Sequence, residues 1–151
     1  MPVSAFLGPR EVFALMRQAW LGQIDSDPRL LAEDVVIETP FAPPGRPRRF
    51  EGRAEFLAFA APQRENFPVR FEEVRDVVIH DTADPEVIVA EYTLAGVVTT
   101  TGHRASAPFV SVLRVRDGQT VHWREYQNPL AVAAALDRLP ELFAAFTGDP
   151  H

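Results

Sequence analysis

The stretch VHWREYQNPL (121–130) places a carboxylate, Glu125, in a segment of strand character that alternates apolar and polar residues. Alternation puts Trp123, Glu125 and Gln127 on one strand face and His122, Arg124 and Tyr126 on the other. An ionised carboxylate in a half-buried strand is costly unless it is paired, so burial raises its pKa. A carboxyl group kept neutral near pH 7 can donate a proton or a hydrogen bond, which is general-acid chemistry. The competing reading reverses the strand's facing, or pairs Glu125 with an arginine in a purely structural role.

Other residues could assist. Ser111 shares a face with Phe109 and Leu113 on the preceding strand, but with no histidine on that face it is no nucleophile; it orients a ligand or Glu125, or simply packs. Thr39, on one face with Val35 and Ile37, has the same two readings. Glu91, within VIVAEYTLAG, could divide acid and base roles with Glu125, yet that strand is apolar on both faces and its parity chooses neither. Arg46, Arg48 and Arg49 sit in a proline-rich loop, where a guanidinium fork suits an anionic group and a solvated loop is the plainer alternative. The four histidines, His80, His103, His122 and His151, have no metal-ligand spacing, cysteine is absent, and no glycine-rich dinucleotide loop occurs, so neither a metal nor a cofactor is expected.

These residues need a scaffold. Pro9 opens a helix over 9–21 with Val12, Phe13, Met16 and Trp20 on one stripe. Asp27 and Pro28 start a second, short helix to about Glu33, followed by a strand over 35–39. Pro40, Pro43, Pro44 and Pro47 make 40–50 a loop, and 53–65 is a third helix carrying Phe56 and Phe59. The period then becomes two, predicting antiparallel strands over 69–80, 86–98, 104–116 and 119–127, the last pair joined at Asp117-Gly118. Asn128 and Pro129 introduce a final apolar helix over 131–146.

The expected fold is α+β, one domain over 1–151: a cone-shaped, curved, mixed or antiparallel sheet wrapped around three N-terminal helices, with a C-terminal helix. Such a cone leaves an apolar cavity, the default site for a small molecule. A length of 151 residues, 46% of them hydrophobic, suits one core. The net charge of −6 argues against nucleic acid. Without a leader-like start or a run of apolar residues long enough for a bilayer, no membrane association and a cytoplasmic location are expected.

The strings EVFALM (11–16), VVIETPF (35–41), FEGR (50–53) and FVSVLRVRDGQTVHWREYQNPL (109–130) resemble the SnoaL-like and ketosteroid-isomerase-like branch of the nuclear transport factor 2-like superfamily. The closing WREYQNPL is most similar to phenazine-biosynthesis imine-forming proteins, in which a glutamate at the position of Glu125 acts as an acid within the pocket. The resemblance implies that Trp123, Glu125 and Gln127 point inward, that Trp20, Phe59, Phe109, Ser111, Thr39 and Glu91 are candidate ligand contacts, and that the chain is a homodimer joined through its outer sheet face. It also marks departures. The ketosteroid-isomerase base, tyrosine and oxyanion-hole aspartate positions hold Thr39, Ala19 and Ser111, and the phenazine-type histidine is replaced by Phe59. The expectation is a cofactor-independent isomerase, cyclase or condensation enzyme acting on a small hydrophobic or aromatic substrate. A non-catalytic binding or dimerisation module is the alternative; epoxide hydrolysis ranks last, because no Asp-Arg-Asp set for activating water is recognisable.

Overall fold

Pro9 occupies the first turn of α1 (Pro9–Trp20), where its missing N–H leaves no helical bond unmade. The stripe read from the sequence is the buried one: Val12 and Phe13 are fully enclosed, and Met16 and Trp20 pack against the same core. These features belong to a computed structural model that describes residues 6–148.

The second helix is shorter than expected. The Asp27 carboxylate accepts the Arg29 backbone N–H at 3.0 Å, but only a 3₁₀ turn forms, Pro28–Leu30. Leu31 is already extended and opens β1 (Leu31–Glu38), whose Val36, Ile37 and Glu38 run parallel to His122, Trp123 and Arg124. The ladder to a distant strand takes residues that local propensity assigned to a helix. The loop predicted over 40–50 likewise ends early, in β2 (Arg49–Glu51). Past the last proline the backbone has its donors back, and Phe50 pairs with Ile37 and is buried.

Helix α2 (Arg53–Glu65) follows, and then β3 (Val69–Asp81), β4 (Val87–Val98), β5 (Arg104–Arg116) and β6 (Gln119–Gln127) form an antiparallel meander. The Asp117-Gly118 turn has φ of 53° and 78°, the positive values that a tight hairpin demands. Strand order is β2-β1-β6-β5-β4-β3, a six-stranded mixed sheet. Two irregularities in the β3–β4 register, between Phe71 and Glu73 and between Arg75 and Val78, bend the sheet. Gly96 is required at this bend, because a Cβ there would overlap the Arg70 carbonyl and lie 2.9 Å from its carbon.

Ile88, Ala90, Tyr92 and Leu94 of β4 and Leu113 and Val115 of β5 line the concave face under α1. A second cluster joins Val35, Ile37 and Phe50 to Phe56 and Phe59 of α2. The predicted C-terminal helix is two helices, α3 (Pro129–Ala135) and α4 (Leu139–Phe146). Pro140 cannot donate to the Leu136 carbonyl as a continuous helix requires, and Asp137 turns the chain at φ 56°. The architecture is therefore the curved, unclosed α+β cone expected, and among the described residues no helix is long and apolar enough to cross a membrane.

Candidate active site

The concave face and the helices enclose a cavity of about 460 Å³, within the usual range for small-molecule sites. Trp20 from α1, Leu94 from β4 and Phe109 from β5 form one side, β6 supplies Trp123, Glu125 and Gln127, and Val132 of α3, Leu136 just after it and Leu142 of α4 close over it. A smaller compartment of about 180 Å³ lies between the first strands and α2, lined by Ile37, Thr39, Phe50, Phe56 and Phe59. Both are bordered by Trp123, Glu125 and Gln127, with Pro43 and Arg46 of the proline-rich loop also common to the two.

Glu125 therefore stands where the compartments adjoin. Burial pushes its carboxyl up to about 7, with a weak opposing influence from the Gln127 amide, which donates to Oε1 at 3.5 Å. Among the described residues Glu125 has no salt-bridge partner. Nor does any fully enclosed side-chain oxygen or nitrogen among the described residues lack a partner, so Oε2, which has no hydrogen bond of its own, keeps some exposed surface on a side chain that lines the cavity. Glu125 keeps part of its surface exposed and lines the cavity. With a pKa near 7 a substantial fraction keeps its proton at neutral pH, and that form can donate to whatever enters.

The other predicted residues divide. Trp20 and Phe109 line the main compartment, Thr39 and Phe59 the smaller one, and Trp123 and Gln127 both. Ser111 is not a wall of either. It is 1% exposed, its hydroxyl lies 2.7 Å from the Tyr92 hydroxyl and accepts the Trp123 indole N–H at 3.1 Å, so it fixes the rings behind the wall. Glu91 is corrected outright. It projects from the convex face of β4, half exposed, 2.6 Å from His80 Nε2, while its neighbours Ala90 and Tyr92 turn inward. The inward face of β4 is the one α1 covers, a tertiary fact that strand parity alone does not carry.

Of the three loop arginines only Arg46 reaches the cavity wall; Arg49 pairs with Glu51 at 3.0 Å and with Glu38 at 3.4 Å. His122 faces outward as its parity predicts and meets Glu38 at 2.6 Å, a contact that holds the Glu38 carboxyl below its ordinary pKa. Tyr92 was missed as a site residue. Burial, and secondly the charge of Glu125, drive its phenol pKa upward, so it stays a neutral hydroxyl behind the cavity wall. Its signal in the sequence was its place opposite Glu91 in the alternation. Among the described residues no three His, Cys, Asp or Glu side chains gather as a metal site.

The family model of the SnoaL-like domain matches residues 8–123, from the start of α1 to the tryptophan two positions before Glu125. The chain belongs to the SnoaL-like family. A PhzA/B-like protein of Pseudomonas aeruginosa is 42% identical over 101 residues, covering 67% of this chain and 70% of that one. A crystal structure of a proposed isomerase from Bacillus subtilis superposes with a TM-score of 0.76 at 28% identity, over 85% of this chain and 92% of the other. A phenazine biosynthesis-related protein of Pseudomonas aeruginosa gives a TM-score of 0.65 at 21% identity, over 85% and 84%, a likeness of fold. The SnoaL-like cone is thus shared, while Glu125 lies just outside the matched span and its role has to be argued from its surroundings.

Proposed function

We propose that this SnoaL-like protein is a cofactor-independent enzyme in which Glu125, in its protonated form, acts as general acid on a small hydrophobic or aromatic substrate in a cyclisation, isomerisation or condensation step. The observation that carries the reading is the largely buried carboxyl group without a salt-bridge partner where two compartments adjoin, with one oxygen making no hydrogen bond among the described residues. A structural glutamate would be neutralised by an arginine or lysine, and none contacts it among the described residues. Its proton would go to a carbonyl or imine-forming oxygen of the bound molecule, and the resulting carboxylate would take a proton back as the step ends. Trp123 and Phe109 would position planar groups, and Gln127 the carboxyl itself.

The same reading includes a homodimer, built through the convex face where Val89, Val110 and Val112 stay only half covered. Activity is tested with enolisable cyclic ketones in heavy water, following deuterium uptake by NMR. Uptake that depends on Glu125 and declines as pH rises through about 7 supports the proposal. Undiminished uptake in Glu125→Gln, or none in the unaltered protein, contradicts it.

A further inference from the structure

The smaller compartment has no part in the acid chemistry, yet it shares its inner wall with the catalytic candidate. At about 180 Å³ it is close to the size of apolar protein cavities, about 150 Å³, that stay dry and bind benzene. Its only hydroxyl is already used, since Thr39 Oγ1 donates to the Pro47 carbonyl at 3.0 Å. The remaining lining away from the shared border is Ile37, Ala42, Phe50, Phe56 and Phe59, with Pro47 at one side. Phe50 and Phe59 have ring centroids 5.0 Å apart, and Phe50 and Phe56 5.5 Å, so the three rings form one aromatic cluster in the lining. Away from the border it shares with Arg46, Glu125 and Gln127, this lining offers no free hydrogen-bond donor to a polar substituent. A ligand confined to the larger compartment would leave these rings without contact partners.

The main compartment differs in kind. It is larger, and Gln63, Arg138 and Glu141 add polar groups to its lining. The two compartments share a border of Pro43, Arg46, Trp123, Glu125 and Gln127, so a molecule that occupies both carries its linking atoms past this border, where Glu125 is the one carboxyl group.

We propose that the small compartment is a second subsite for one unsubstituted, ring-sized apolar group, and that the ligand is a two-lobed molecule. Its larger, polar-substituted part occupies the main compartment and its linking atoms meet Glu125. The proposal rests on the reading of Glu125 as the acid only for the chemistry at the link; the subsite itself stands on the cavity.

The test uses methyl-labelled protein and two ketones as probes. The Ile37 methyl reports the small compartment, and the Leu94 and Leu142 methyls report the main one. Benzophenone, two rings joined through a carbonyl, is expected to shift all three at one molecule per chain. Tetralone, whose fused rings exceed a ring-sized space, is expected to shift the leucines and leave Ile37 in place. Filling the small compartment by Ala42→Leu or by Phe59→Trp is expected to weaken benzophenone about tenfold or more and tetralone less than about twofold, a tenfold change being about 1.4 kcal/mol. Two variants are used so that loss of folding in one leaves the other informative. Benzophenone that leaves Ile37 unshifted, or that binds both folded variants as tightly as the unaltered protein, overturns the proposal. Glu125→Gln separates the two readings: it removes the acid, and the Ile37 response persists if the subsite is real.

Discussion

The hydroxyls of Tyr92 and Ser111 lie 2.7 Å apart on neighbouring strands, and the Ser111 oxygen also takes the Trp123 indole N–H at 3.1 Å. Ser111 stands opposite Glu125 in the β5–β6 ladder, so this polar knot sits beside the acid on the same sheet face and fixes the tryptophan that borders both compartments. Ser111→Ala strands a buried phenol and an indole N–H at once. It is expected to lower stability by about 1–3 kcal/mol in denaturant unfolding. Tyr92→Phe leaves Ser111 with its tryptophan partner, and about 1 kcal/mol is expected.

The raised pKa of Glu125 makes stability depend on pH in a definite direction. The folded state holds the proton up to about pH 7, whereas the unfolded chain releases it near 4.5. The stabilisation is therefore complete below about 4.5 and is lost as pH rises through about 7. Glu125→Gln has no such loss. Thermal unfolding should find the variant similar to the unaltered protein at pH 4 and more stable at pH 9 by up to about 3 kcal/mol. Equal pH dependence in both would contradict the assignment.

Gly96 has backbone where a side chain would go. Gly96→Ala presses its methyl against the Arg70 carbonyl across the bend in β3, and a loss of about 1–3 kcal/mol is expected from the forced shift of two strands. Because the bend shapes the concave face, the Leu94 methyl resonance should move as well.

Glu91→Gln should do little. The side chain is half exposed on the convex face beside His80, so ligand affinity is expected to change less than about twofold and stability by less than about 0.5 kcal/mol. A large loss of ligand affinity would return Glu91 to the site.

Much of this was readable in the residues. The stripe of Val12, Phe13, Met16 and Trp20 has only one way to bury itself, and the alternation of Trp123, Glu125 and Gln127 has only one shared face. Local signals were weaker where a distant partner decided the outcome. β1 begins at Leu31 because β6 is there to pair with it, and β2 appears inside a proline-rich stretch because Ile37 lies opposite Phe50. Glu91 was illegible for a different reason: both faces of β4 are apolar, and only the position of α1 selects the inner one. The division of the cavity, and the diversion of Ser111 from ligand to structure, depend on side-chain positions that no spacing encodes.

The central claim is that Glu125 in the cavity holds its proton well above the ordinary carboxyl range, with a midpoint near 7, and carbon-13 NMR titration of the glutamate carboxyl carbons measures this directly. One resonance should titrate near pH 7 and be missing from the Glu125→Gln spectrum. If every glutamate titrates below about pH 5, or if the resonance near 7 survives the substitution, the carboxyl is an ordinary ionised one and the account of the site fails.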